Sequence, residues 1–387
     1  MRSTGGDAIL VSGSTEEASA EETGRTAFAE ARFFGNYESN DLVETAAVEL
    51  GAAHRITSVL AFSEADVLRA ARIRKRLRLP GQDFADASFF RDKVAMKRRA
   101  WERGISVPRF AEITCPADLT EFVLANDLPV VVKPSDGRGS SGVSVLATDE
   151  DVKAFLASGA SHAARFTVEE YVPGDMYRVD GLYVDGCPVV IHAARYFKDC
   201  LAFIRGETIG THSLDADNPL VGRIETFTRH LLEKALPFPS TSMFHLQIFH
   251  TPDDRLVLCE VASRLGGGVI NEEVRTATGI DMKLGYVEAS TGRYHGTRDH
   301  RAVATRPTGR IIIPPKNGVL EDFPLSCDRE FVDLYKTYGV VGRRYGGAAM
   351  TNAEVASFVF GGDDENQLKS RATDLDDWFG ANSSWSA

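Results

Sequence analysis

Lys133 has the clearest chemical context in this chain. The apolar run Val130 to Val132 delivers it into Pro134-Ser135-Asp136-Gly137-Arg138-Gly139-Ser140-Ser141-Gly142, and a second apolar run, Val143 to Leu146, follows at once. Two strands joined by such a loop form a hairpin whose tip can fold over an anion. Gly137, Gly139 and Gly142 permit the positive φ that turns backbone N–H groups inward. Lys133 adds a point charge beside them. Taken alone, the stretch also fits a flexible hairpin with a surface lysine.

Other residues extend this chemistry. Lys97 lies on a cationic helix pattern, Phe89 to Arg103, with Gly104 as its C-cap. Phe166 to Val172 reads as a strand that carries Glu169 and Glu170 and stops at Pro173-Gly174. Its end, Glu169-Glu170-Tyr171-Val172, can read an adenine with backbone groups. Phe244 to Thr251 and Arg255 to Val261 read as antiparallel strands around Pro252-Asp253-Asp254, and they bear Gln247 and Glu260. Glu260 can hold Mg²⁺, which takes carboxylate together with phosphate oxygens. Arg264 can neutralise charge on a transferred phosphoryl group. Gly266, Gly267 and Gly268 beside it form either a helix-entry turn or a seat for a substrate carboxylate. Asn271 is either a helix cap or a ligand. Strict alternation puts His192 and Arg195 on opposite faces of one strand. With His212 they are candidates for the substrate pocket, against purely structural roles.

The positioning elements follow from pattern. Ala8 to Val11 reads as a strand, and Asp41 caps a helix with Leu42, Ala46 and Leu50 on one face. His54 to Phe62 reads as a strand and Glu64 to Leu77 as a helix. This alternation predicts an N-terminal α/β domain with a parallel sheet. Arg69 to Arg78 reads as a solvated basic helix face. Tyr177 to Val184 and Cys187 to Tyr196 form a hairpin around Asp185-Gly186, and Leu201 to His212 reads as a loop. Pro219 to Leu236, a segment from Asn271, and Asp281 to Ser290 read as helices. Strands resume from Arg310, Asp363 to Phe379 is a closing helix, and the tail from Gly380 is frayed. So is the start up to Asp7, while Gly13 to Thr26 is a polar loop or weak helix.

At 387 residues the chain holds two or three domains or subdomains. A formal net charge of −11 argues against nucleic-acid binding, which needs a basic footprint. No apolar run approaches the roughly 18 residues of a membrane span, and no signal-peptide pattern opens the chain. The five cysteines are never spaced C-x-x-C. They predict reduced, buried thiols with neither a zinc site nor a disulfide framework, and a cytoplasmic setting.

The order Asp92-Lys93…Lys97…Gly104-Ile-Ser-Val-Pro, Val-Val-Val-Lys133-Pro with its Gly/Ser loop, Val-Glu169-Glu-Tyr-Val-Pro-Gly, and Glu260-Val-Ala-Ser-Arg264 resembles the ATP-grasp superfamily. Within it the chain is similar to carboxylate–amine ligases of bacterial secondary metabolism: L-amino acid ligases, and relatives that load amino acids onto carrier proteins. The resemblance runs from about Asn36 to the C-terminal region and is densest between Arg91 and Gly292. It implies an ATP-grasp fold of α/β (α+β) class. Residues 1–91 are then an N-terminal α/β domain, 92–292 the ATP-grasp domain with a lid at about 128–200, and 293–387 a strand-rich region completing the core.

The resemblance also implies roles. Lys97 and Lys133 contact nucleotide phosphates, and Ser135, Gly139, Ser140, Ser141, Gly142 and Val143 belong to the loop that closes over them. Glu169, Glu170, Tyr171 and Val172 form the adenine linker, Glu260 holds the metal, and Arg264 steadies an acyl phosphate. The cofactors are ATP and Mg²⁺, with Mn²⁺ as an alternative, and the substrates are amino acids. An amino acid:acyl-carrier-protein ligase is the first rival, and a nucleotide-binding protein with impaired catalysis the second. A homodimer through the N-terminal domain is implied by the family. Three positions depart from its pattern. Gln247 stands where a second metal-binding glutamate is usual. Met176 stands where a ribose-binding glutamate is common, so that Asp175 or another group serves there or the contact is lost. Ala262 replaces an asparagine.

Overall fold

The structure, a computed structural model, describes residues 8–16, 28–160, 164–296, 302–348, 350–351 and 353–387. The segment up to Asp7 and most of Gly13 to Thr26 lie outside them. At the centre is an eight-stranded antiparallel sheet. Its order is Leu256–Ala262, Ser242–His250, Asp175–Val184, Cys187–Tyr196, Ile209–Ser213, Thr308–Ile313, Ala356–Gly361 and Val332–Thr337.

Asp175–Val184 shows how period-two alternation sorts this sheet's contents. Tyr177, Val179 and Tyr183 join one core with Met96, Ala100, Ile224 and Leu231, contributed by helices Lys93–Glu102 and Leu220–His230 and the turn that follows the second. Leu182 and Val184 face the other way, onto Val274, Met282 and Tyr286 of helices Ile270–Thr278 and Met282–Ser290. Burying side chains of this size stabilises by roughly 1.5–3 kcal/mol each. On that second face Arg178 and Asp180 are also fully buried, so they need partners, which they find in each other and in Glu273. The closing helix, Glu365–Ala381, lays Leu368, Ala372, Leu375 and Phe379 on Ile311, Phe358 and Phe360.

A second, four-stranded antiparallel sheet has the order Phe110–Ile113, Phe166–Glu170, Val130–Pro134, Ser144–Leu146. Helices Pro116–Asn126 and Asp149–Ala157 cover it through Leu119, Phe122 and Val152. The stretch 128–200 therefore serves two sheets, the small one as far as Glu170 and the large one from Asp175.

A parallel N-terminal pairing is present, but between Ile9–Gly13 and Glu30–Phe34, a strand the sequence did not suggest. His54 to Phe62 is not a strand. Its backbone is claimed by side chains instead: Arg74 donates to the Val59 carbonyl from Nη2 (2.6 Å) and Nε (3.1 Å). Phe62 stands edge-on to Tyr286. Consequently Arg69 to Arg78 is not a purely solvated face, since Arg69 and Arg74 are buried. Part of the expected loop Leu201 to His212 is the strand Ile209–Ser213, at home where Cys187–Tyr196 and Thr308–Ile313 offer ladders on both sides. The tail is not frayed: Ser384–Ser386 pairs with Asn317–Asp322, and Trp385 packs edge-on against Tyr345. Cys115 and Cys187 are exposed, against expectation, and the five thiols are free.

Gly174 makes the turn between the two sheets. Its φ is +131°, and a Cβ there meets the His250 carbonyl oxygen at 2.2 Å. Gly174→Ala is expected to lower unfolding free energy by about 2 kcal/mol or more, read by urea denaturation.

Candidate active site

A cavity of about 540 Å³ opens between the two sheets. Its floor depends on a β-bulge. Gln247 pairs with Glu260, but the next residue, Ile248, pairs with Leu258. Cys259 is thus the extra residue, and both it and Glu260 line the cavity. A bulged residue has a carbonyl without a ladder partner, and Lys97 supplies one: its Nζ donates to the Cys259 carbonyl at 2.7 Å.

Lys97 is fully buried and does not line the cavity. Its ammonium pairs with Glu169 Oε1 at 2.8 Å, while Lys133 pairs with Glu169 Oε2 at 2.8 Å. Glu169 therefore serves as the counter-ion of two lysines. Burial and the neighbouring Lys133 hold the Lys97 pKa down against the pull of Glu169. Lys133 is held above its usual value, because Glu169, Cys259 and Glu260 outweigh its burial. The lysine that faces the cavity from the helix is Lys93, one turn earlier and missed by the sequence reading. It reaches Glu260 at 3.3 Å and the Gly137 carbonyl at 2.7 Å. The cue was in the sequence: Asp92 caps the helix through Val94 N and Ala95 N, which puts Lys93 at its mouth.

Glu260 is the cavity's carboxylate. Burial raises its pKa, but Lys93, Lys133 and Lys97 outweigh burial and hold it at about 2. Gln247 donates from Nε2 to Tyr196 Oη at 2.9 Å and to Cys200 Sγ at 3.6 Å, which turns its Oε1 to the other side as an acceptor. One carboxylate and one amide oxygen suit a Mg²⁺ that is shared with phosphate oxygens, not a protein-only cage. Among the described residues no three His, Cys, Asp or Glu side chains cluster as a metal centre.

The Gly/Ser loop lies over the cavity, with Gly139, Ser140, Ser141 and Val143 on its lining. Lys93 and Arg91 tie it from one side, through the Gly137 and Asp136 carbonyls. The Thr351 N–H ties it from the other, through the Gly139 carbonyl. Ser135 does not join the lining; it is buried against Thr167 Oγ1 at 3.0 Å. Nor does Gly142, whose φ of +71° makes the turn out of the loop. Glu170, Tyr171 and Val172 line the far wall, Glu170 held by Arg109 at 2.6 Å. Met176 and Asp175 also line it.

Beyond Glu260 a narrow cleft continues to Arg264, lined also by Lys93, Arg138 and His245. Glu64, unnoticed in the sequence, anchors Arg264 (Nε to Oε2, 2.5 Å) and pairs with Arg91 as well. The remaining expected substrate residues fall elsewhere. Arg195 is spent on Asp175 at 2.6 Å. His192 is buried, 3.9 Å from Glu273 in the Arg178–Asp180 network. Asn271 does not cap its helix, whose N-cap is Val269; it is tied to Asp281 and the Lys283 N–H. Gly266 covers Asp180 and His245, where a Cβ would come within 2.6 Å and 2.8 Å of their side-chain atoms. Gly268, at φ +63°, lies over Arg310, and Gly267 has open space around it.

No family model matches the chain. Over 275 residues, 68% of this chain, it is 22% identical to an L-arginine-specific L-amino acid ligase of Bacillus subtilis. The match spans 64% of that relative's length. The solved L-amino acid ligase from Bacillus licheniformis superposes with a TM-score of 0.75 at 16% identity, covering 96% of this chain and 97% of that one. The chain has the ATP-grasp fold. The ATP-grasp fold is shared with the biotin carboxylase domain of Hydrogenobacter thermophilus 2-oxoglutarate carboxylase, solved with Mg-ADP, at a TM-score of 0.71 and 12% identity, covering 100% of this chain and 86% of that one. No described helix of this ATP-grasp chain is long and apolar enough to cross a membrane.

Two predictions separate the lysines and test the electrostatics. Lys97→Met leaves Glu169 with one partner and is expected to cost about 3–5 kcal/mol of stability. Lys93→Ala is expected to cost about 1 kcal/mol, both read by chemical denaturation. The second concerns pH. The folded Glu260 pKa lies below its ordinary 4.5, so its stabilisation is complete above that value and is lost as pH falls toward about 2. The stability gap between wild type and Glu260→Gln is expected to be constant from pH 8 to about 5 and to narrow below about 4.5, read by thermal unfolding.

Proposed function

We propose that the chain is an ATP-dependent ligase that activates an amino acid carboxylate as an acyl phosphate and joins it to an amine, releasing ADP and phosphate. One observation carries this reading. Lys93, Lys97 and Lys133 outnumber Glu169 and Glu260 at the cavity, so the cluster has one positive charge in excess. Lys93 and Glu260 line both this cavity and the neighbouring narrow cleft of Arg264. A polyanion and a carboxylate acceptor thus have adjoining places. The relatives' names support the same reaction class.

The chemistry divides among the residues. Backbone groups of Glu170 to Val172 present the edge on which adenine is read. Lys133 and Lys93 face the phosphates from below, and the loop's N–H groups close over them. Glu260 and Gln247 would hold Mg²⁺, which when bound would neutralise charge on the phosphate oxygens; Mn²⁺ suits the same donors. A carboxylate oxygen beside Arg264 attacks the γ-phosphorus, the bond to the bridging oxygen breaks, and ADP leaves with its electron pair. The neutral amine then attacks the acyl carbon. The C–O bond to phosphate breaks, and the nitrogen sheds a proton to become the amide. No side chain forms a covalent intermediate; catalysis is positioning and electrostatic stabilisation.

With Mg-ATP and pairs of amino acids, phosphate release is expected to depend on the amino acid, with a dipeptide mass in the product. Lys133→Ala and Arg264→Ala are each expected to lower turnover by about 100-fold or more, Arg264→Ala with ATP binding retained by calorimetry. Phosphate release indifferent to amino acids sinks the ligase reading. Product seen only with a carrier-bound acceptor replaces the free dipeptide by a carrier-loading reaction.

A further inference from the structure

Arg138 occupies the middle of the glycine loop, and the structure gives it more than a place on the lid. Its guanidinium lines the narrow cleft together with Lys93, Glu260 and Arg264. The backbone is fixed on both sides of it. Asp136 and Gly137 are held by Arg91 and Lys93, and Gly139 is held by Thr351. Left-handed backbone at Gly139 (φ +55°) and Ser140 (φ +62°) turns the chain sharply just after Arg138. The side chain is about a quarter exposed.

Of the three arginines that line the cleft, Arg138 and Arg264 repel, and each is held by a different kind of carboxylate. Glu64 is nearly enclosed, with 11% of its side chain exposed, and its two oxygens are committed to Arg264 and Arg91. Arg138 rests on Glu38, which is 57% exposed. An exposed ion pair of this kind contributes ~0–1 kcal/mol, so Glu38 is a weak competitor for a doubly charged anion. The transferred phosphoryl group spreads charge over three oxygens. Lys93 approaches from its helix, Lys133 from the small sheet and Arg264 from beyond Glu260, which leaves the lid side to Arg138.

We propose that Arg138 is a catalytic residue, a lid-borne arginine. It leaves Glu38 and, with Arg264, contacts the phosphoryl group as it passes from ATP to the carboxylate. This inference rests on the ligase reading above. Arg138 keeps its proton throughout; the bonds made and broken are those of the phosphoryl transfer already described.

The test uses the full chain and four proteins: wild type, Arg138→Ala, Arg138→Lys and Glu38→Gln. Amino-acid-dependent phosphate release, product mass and ATP affinity are measured for each. Arg138→Ala is expected to lose about 10²–10³-fold in kcat, with ATP affinity within about threefold. Arg138→Lys is expected to recover only part of this, because a point charge replaces a planar fork. Glu38→Gln is expected to keep kcat within about threefold of wild type, and guanidinium ion to restore part of the Arg138→Ala activity. Equal losses in Glu38→Gln and Arg138→Ala reduce the pair to a latch and overturn the proposal, as does unchanged kcat in Arg138→Ala. A wild type inactive on every pair overturns the ligase reading together with this inference, whereas an active wild type matched by Arg138→Ala overturns this inference alone.

Discussion

The buried triad of Lys97, Glu169 and Lys133 sets the arrangement on which the rest of the site depends. Lys97 comes from the helix Lys93–Glu102, Lys133 and Glu169 from neighbouring strands of the small sheet, and the Cys259 carbonyl from the large sheet's bulge. Desolvating a charged group costs several kcal/mol, so none of these ions is stable there unless the others stand within reach. The triad therefore fixes the distance between the two sheets, and with it the cavity. Its charge does not close: two lysines share one carboxylate, and Lys93 with Glu260 adds a neutral pair. Among these five side chains one positive charge is in excess.

Much of this was legible in the sequence, for a physical reason. Lys133, Glu260 and Arg264 lie on or next to strands whose alternation and turn residues fix which way a side chain points; Lys133 lines the cavity, Arg264 the neighbouring cleft, and Glu260 both. Lys93 and Lys97 are one helical turn apart on the same face, so the sequence pattern does not separate them. Which turn looks into the cavity is decided by a carbonyl far along the chain, released by a bulge that no local pattern announces. Glu64 escaped for a similar reason, since its partner Arg264 lies 200 residues away. His54 to Phe62 has a strand's composition, yet Arg74 takes its carbonyl before a neighbour can. Ile209–Ser213 has a loop's composition, yet it is a strand because its neighbours offer pairing on both edges.

Gln247 in place of a carboxylate has consequences beyond the metal. Its neighbours are Tyr196, which is buried, and Cys200, which is half-buried, and desolvation raises both pKa values, that of Cys200 to about 12. Both remain protonated and polar but uncharged, a setting in which a neutral amide is satisfied without a counter-ion. The substitution leaves the cluster one negative charge poorer. The balance moves away from holding a cation with protein groups alone and toward holding the phosphate–cation unit as a whole.

The two cation types are also divided in space. Lysines lie under the part of the cavity where, in the proposed reaction, phosphate charge is already present when ATP arrives. A compact ammonium suits a charge that stays in place, and the buried carboxylates keep those lysines from straying. Arginines lie in the cleft where charge must move from one oxygen to another. A planar guanidinium presents several donors in fixed directions and can follow that movement without re-forming its hydrogen bonds one at a time. Arg264 is pinned by an enclosed glutamate, whereas Arg138 is held only by an exposed one and rides on a loop tied at Asp136, Gly137 and Gly139. Within that cleft Arg264 is held in place by its enclosed pair, and Arg138 is left free to respond by a pair that water already weakens.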